Sequence, residues 1–137
     1  NFQTDSDGIF ACGNVLHVHD LVDYVSSEAE KAGENAALYA LYDRKEEKKV
    51  IPISVFGLAR YTVPEMIHED TKEDTTIRFR VSNVKKDGKI VVRINGEEVI
   101  SKNKRIMAPG EMETIIISKR ILDKYDSIES MEVGTED

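Results

Sequence analysis

Two stretches of this chain carry apolar residues at every second position, which constrains their local structure more than any other feature. Ile77, Phe79 and Val81 face one way while Arg78, Arg80 and Ser82 face the other. Ile90, Val92 and Ile94 alternate into Asn95-Gly96, and Glu97-Glu98-Val99-Ile100 follows. A period of two belongs to a strand with one buried face. Asn-Gly accepts the positive φ values that a two-residue hairpin requires. An antiparallel sheet is therefore expected here, and its neighbours extend it. Ile51, Ile53 and Val55 alternate, with Pro52 suggesting an edge strand. Tyr61 and Val63 form a run ended by Pro64, and Lys85-Lys86-Asp87-Gly88 reads as a turn. Pro109-Gly110 leads into a strand over 112–117, a short helical turn is expected at 119–124, and Ser130-Met131-Glu132-Val133 closes the chain. About seven strands without a helical interval predict a β-sandwich over 50–137.

The earlier residues have a different period. Ile9-Phe10-Ala11-Cys12 reads as a short buried strand closed by Gly13-Asn14. Asp20 reads as an N-cap, with Asp23 favourably placed against the helix dipole. Leu21, Val22, Val25, Ala29, Ala32, Ala36 and Ala40 then recur at helical steps, with Glu28, Glu30, Lys31 and Glu34 on other faces. A stripe of alanines buries little area and needs a larger partner than this segment supplies. The expected organisation is a strand-turn-helix unit over 1–44, a charged linker over 45–49 and the sandwich over 50–137. The fold class is α+β. Residue 1 is Asn rather than Met, and the chain enters a hydrophobic segment at once, so an excised piece of something longer is expected.

Charge supports the same division. The chain of 137 residues carries 19 bases and 26 acids, a net charge of −7. Residues 1–44 hold eight of the acids and only two of the bases, so the remainder is nearly neutral. That balance argues against a general phosphate-backbone binder, and nucleic acid is not an expected partner. Lys102, Lys104 and Arg105 near Lys85-Lys86 lack interleaved aromatics and read as a solvated sheet face. Glu111 and Glu113 lack the partner that paired-carboxylate catalysis needs. No apolar run approaches the roughly 20 residues of a membrane span. One cysteine, Cys12, excludes an internal disulfide and reads as an inert core residue.

Two patterns in the first segment bear on chemistry. Gly13-Asn14, ahead of a helix N-terminus, suits an anionic or polyhydroxyl ligand: glycine admits close approach and the Asn amide bonds a hydroxyl. An ordinary strand-turn-helix corner explains the same spacing. His17-x-His19-Asp20 invites a metal reading, but the third histidine, His68, lies in another segment beside Glu69-Asp70. Without a further His or Cys to complete the set, no metal site and no catalytic residue is assigned.

Thr4-Asp5-Ser6-Asp7-Gly8-Ile9-Phe10-Ala11-Cys12-Gly13-Asn14-Val15 resembles the C-terminal flavin motif of the FAD-dependent pyridine nucleotide-disulfide oxidoreductases. In that family a Thr, a turn and a hydrophobic strand lead to Gly-Asp and a helix with a small-residue stripe. The likeness extends through Leu16-His17-Val18-His19-Asp20-Leu21-Val22 to residue 42. This stretch is similar to the C-terminal end of the FAD domain in one bacterial branch, which resembles the flavoproteins associated with glycerol-3-phosphate dehydrogenases and amino-acid oxidase subunits. The resemblance implies that Gly13, Asn14, Val15, Asp20, Leu21 and Val22 contact FAD, and that backbone N–H groups near Leu21 and Val22 face the flavin's pyrimidine edge. His17 and His19 would line the flavin-proximal loop. Asn14 stands where the family usually has Asp, which weakens that one contact. The GxGxxG turn that holds the FAD pyrophosphate, an NAD(P) domain and a CxxC pair are all absent from these residues.

The chain is thus expected to be the C-terminal fragment of a cytoplasmic FAD-dependent NAD(P) oxidoreductase, inactive alone. Its expected partners are the remaining FAD and NAD(P) domains of the parent, a partner subunit, or a second copy of itself. A freestanding β-sandwich binding or interaction module with a helical N-terminal arm is the alternative. It explains 50–137 equally well but gives no reason for the pattern from Thr4 to Val15.

Overall fold

The structure, a computed structural model, describes residues 2–4, 6–42, 49–71 and 73–137. Most of the expected charged linker, residues 45–48, lies outside the described residues. The chain divides into two compact units, 1–47 and 48–137, and each is described by itself.

In the first unit, a loop is pinned by an isolated antiparallel bridge between Gln3 and Phe10. Thr4 N–H donates to the Ile9 carbonyl at 2.8 Å, and Ala11 N–H to the Phe2 carbonyl at 2.9 Å. The strand expected over residues 9–12 is therefore a single bridge, and Ile9 is exposed. A 3-10 turn follows at Gly13–Val15, with Gly13 buried at a φ of +70°. Helix α1 runs from Val22–Tyr42 with Asp23 in its first turn. It begins two residues after Asp20, which is exposed and does not occupy the residue directly before the helix.

The covered side of α1 also differs from the expected alanine stripe. Val25 and Ala36 are half-buried and Ala32 is buried, but Leu21, Val22, Ala29 and Ala40 are exposed. Glu28 and Tyr39 complete the covered side instead. Tyr39 meets the N-terminal loop, its ring edge-on to Phe10 with centroids 6.0 Å apart.

The second unit contains eight strands and a short helix: β1 Val50–Phe56, β2 Ala59–Val63, β3 Met66–His68, β4 Thr75–Val81, β5 Lys85–Ile94, β6 Glu97–Met107, β7 Glu113–Ile117, α2 Lys119–Leu122 and β8 Met131–Glu136. Five strands form one sheet in the order β3-β1-β8-β5-β6, and three form another in the order β2-β4-β7. Pairing is antiparallel except between β1 and β8. The molecule is thus α+β, a helix followed by a mainly antiparallel, sandwich-like domain. Both sheets supply one apolar cluster. Ile51, Ile53, Ile90, Val92, Ile94, Met131 and Val133 come from the larger sheet, and Ile77, Phe79, Val81, Ile115 and Ile117 from the smaller.

The hairpin at Asn95-Gly96 has the expected form, with φ of +51° and +81° at its two central residues. Three local expectations are corrected. Lys85-Lys86-Asp87-Gly88 lies inside β5, paired with β6 from Lys85↔Met107 onward. Ladder pairing overrides turn composition there, and Asp87 accommodates it at a φ of +51°. The intervening turn is instead at residues 82–84. Strand β1 is internal to its sheet rather than an edge. Pro52 is tolerated because residues 50–52 pair only with β3, and pairing with β8 begins at Ile53. The last strand before α2 starts at Glu113, and β8 starts at Met131, each one residue later than expected.

Close backbone approach marks the β1–β2 turn. A Cβ on Gly57, whose φ is +64°, would stand 2.2 Å from the Thr135 carbonyl oxygen. The Thr135 hydroxyl accepts the Leu58 N–H at 2.9 Å across the same contact. Among the described residues, no helix is long and apolar enough to cross a membrane.

Candidate functional site

Chemistry-bearing side chains converge in the first unit. The 3-10 turn at Gly13–Val15 continues into Leu16, and the His17 N–H reaches back to the Gly13 carbonyl at 3.2 Å. That contact sets where the His17 ring leaves the backbone. Residues 17–19 form no regular element before the helix, so His17 and His19 are not held apart on a helical face. Their rings stand 4.1 Å apart between centroids, inclined at 54°.

Glu28, two turns into α1, meets both. His17 Nε2 lies 3.4 Å from Glu28 Oε1, and His19 Nε2 lies 2.8 Å from Oε2. The three side chains are only 3%, 2% and 2% exposed. One ligand atom from each lies within 4.8 Å of the others. Burial of charged or polar groups is unfavourable unless their donors and acceptors are engaged. A carboxylate between two imidazoles answers part of that cost: one oxygen serves each ring.

The sequence analysis found the two histidines and missed Glu28, assigning it to another face of the helix. Its signal was the helical phase itself, since Val25, Glu28 and Ala32 are three and four residues apart and are covered together. Asp20, considered as an oxygen ligand, is exposed and does not belong to the trio. His68 does not belong to it either; it lies on β3 in the second unit.

The residues that the flavin resemblance singles out are placed differently. Gly13 is buried, whereas Asn14, Val15, Asp20, Leu21 and Val22 are all exposed. Val15 and Val22 are 82% and 78% exposed. The structure therefore brings these residues to the surface around the 3-10 turn and the start of α1. In the first turn of α1, beside exposed Leu21 and Val22, the Tyr24 N–H donates to the Leu21 carbonyl at 3.2 Å. Cys12 is a free, partly buried thiol.

In the second unit, Lys104 Nζ lies 2.9 Å from Glu113, whose side chain is 3% exposed. Glu113 is thus a buried carboxylate paired with a lysine. Lys86, Asp87, Arg105 and Ile106 line a shallow surface depression.

Comparison with known proteins found no matching family model, no matching curated protein and no matching solved structure.

Proposed function

We propose that this chain is the C-terminal part of an FAD-dependent NAD(P) oxidoreductase. Residues 1–44 would contribute one portion of its flavin site, and 50–137 an appended β domain that does no chemistry itself. The observation that carries the reading is the outward apolar surface of the first unit. Val15, Val18, Leu21, Val22, Leu41 and Tyr42 are all more than half exposed, although this unit has few apolar groups buried. Such a surface fits a segment that is covered by other parts of a larger domain.

The residues present fit one part of a flavin site. Gly13 gives a compact turn without a side chain, the exposed Asn14 amide can both donate and accept, and α1 begins at Val22 beside exposed Leu21. A helix N-terminus favours negative charge placed against it. These residues supply no glycine-rich turn for a pyrophosphate, so the fit is partial and the chain alone should not retain FAD. Bound FAD would supply hydride chemistry with NAD(P)H as the partner. This chain's contribution is hydrogen bonding and orientation at one edge of the cofactor.

The visible absorption spectrum of the natively purified parent, before and after anaerobic addition of NADH, tests this reading. Flavin bands that bleach on reduction would support it. A colourless parent that also fails to take up added FAD would sink it, leaving a β-sandwich interaction module with a helical arm.

A further inference from the structure

We propose that His17, His19 and Glu28 form a binding site for a divalent transition-metal ion, with Zn²⁺ as the best-suited ion. The inference stands apart from the flavin reading, since it uses side chains that reading gives no defined contact.

Two independent observations carry it. The first is convergence: two imidazoles and one carboxylate approach one another at 3.4 and 2.8 Å, all nearly removed from solvent. Zn–N and Zn–O bonds of about 2.0–2.2 Å in a tetrahedron put neighbouring donor atoms about 3.3 Å apart. The observed separations lie on either side of that value, so small side-chain rotations would admit an ion. Nitrogen and oxygen donors of this kind suit Zn²⁺ and its neighbours rather than Ca²⁺ or Mg²⁺, which favour all-oxygen sets.

The second observation concerns His19. Neither of its buried ring nitrogens makes a hydrogen bond to a described residue. The 2.8 Å approach of Nε2 to Glu28 is close enough for a hydrogen bond but lacks its directional geometry. A neutral imidazole has one N–H and one lone pair, and a buried unengaged group of either kind is costly. A cation at the Nε2 lone pair would engage it and offset the buried carboxylate charge together.

Three protein donors leave one position of a tetrahedral ion open to water or another ligand. Asp20, the oxygen ligand suggested by its place next to His19, is exposed and takes no part. The third ligand comes instead from a helix nine residues further along the chain.

The test uses the 137-residue chain without a polyhistidine tag, stripped with chelator and titrated with Co²⁺ and then Zn²⁺. Cobalt reports a tetrahedral environment through its visible absorption, and zinc should displace it. One equivalent is expected to bind per chain. His19→Ala and Glu28→Gln should each weaken binding at least about tenfold, by analogy with the loss from removing even outer-shell partners. His68→Ala should leave binding unchanged. Glu28→Gln preserves side-chain shape, so its effect is readable if His19→Ala does not fold. A chain that binds neither ion, binding unaltered by Glu28→Gln, or binding abolished by His68→Ala would each overturn the site.

Discussion

The two units place their polar and apolar groups in opposite ways. In the second unit, isoleucines, valines and Phe79 from both sheets are sealed in one cluster, and the buried carboxylate of Glu113 is paired with Lys104. In the first unit the buried side chains are mainly His17, His19, Glu28 and Ala32, while Val15, Val22 and Leu41 face solvent. The second unit follows the usual economy of a small domain, in which apolar burial opposes chain entropy. The first cannot rest on that term to the same degree. Its order must draw on the polar trio, on helix formation, or on surfaces that cover its exposed apolar residues.

The strongest way to break the comparison is to open the sandwich core. Phe79 is fully buried at the middle of β4, among residues from both sheets. Phe79→Ala should cost about 3–5 kcal/mol, through lost transfer energy and the cavity left behind. Denaturant unfolding followed by hydrogen exchange in β4 and β5 would measure it. A cost below about 1 kcal/mol would mean that the two sheets close over the cavity, and that the core is much less rigid than its burial implies.

The opposite substitution sharpens the contrast in the first unit. Leu41 is 74% exposed near the C-terminal end of α1. Lys matches Leu closely in helix propensity, and a cation near the helix C-terminus opposes the dipole favourably. Leu41→Lys should therefore change stability by no more than about 0.5 kcal/mol. It should also reduce self-association of the isolated chain through its apolar helix surface. Thermal melting by circular dichroism and size-exclusion chromatography with light scattering provide the two readings. A large loss of helix would show that Leu41 is covered after all. A wild-type chain that is monomeric at every concentration would remove self-association from the account.

These contrasts also explain what the sequence made legible. Alternation was sufficient for β4, for much of β5 and for the Asn95-Gly96 hairpin, because a half-buried strand and a tight turn are local signals. Helical spacing placed α1 within two residues of its start. The parallel pairing of β1 with β8 was not visible, since those strands are remote in sequence and neither contains a local mark of its partner. Asp87-Gly88 had the composition of a turn, but it lies inside β5, where Lys86 and Gly88 pair with β6 on either side of Asp87. Glu28 was hidden by the sound expectation that a helical glutamate faces water. The histidines that draw it inward lie nine and eleven residues earlier, off the helix, where helical periodicity has no reach. The candidate site was thus two-thirds visible as residue types and invisible as a geometry.

The smallest expected effect compares a solvated carboxylate in the second unit with the enclosed one in the first. Lys49 Nζ donates to Glu69 Oε1 at 2.8 Å, and the Ser127 hydroxyl approaches the same oxygen at 3.4 Å. The Lys49 hydrogen bond, aided by its charge, outweighs desolvation and holds the Glu69 carboxyl below its ordinary value. The folded state therefore binds that proton less readily than the unfolded chain does. The resulting stabilisation is present above the unfolded carboxyl's pKa and is lost as pH falls through the folded one. Carboxyl-detected NMR should find Glu69 titrating at lower pH than unpaired surface glutamates, and Lys49→Met should return it towards them. Because both partners are open to solvent, added salt should shrink the difference. An unshifted Glu69 in the wild type would show that water, rather than Lys49, sets its proton affinity.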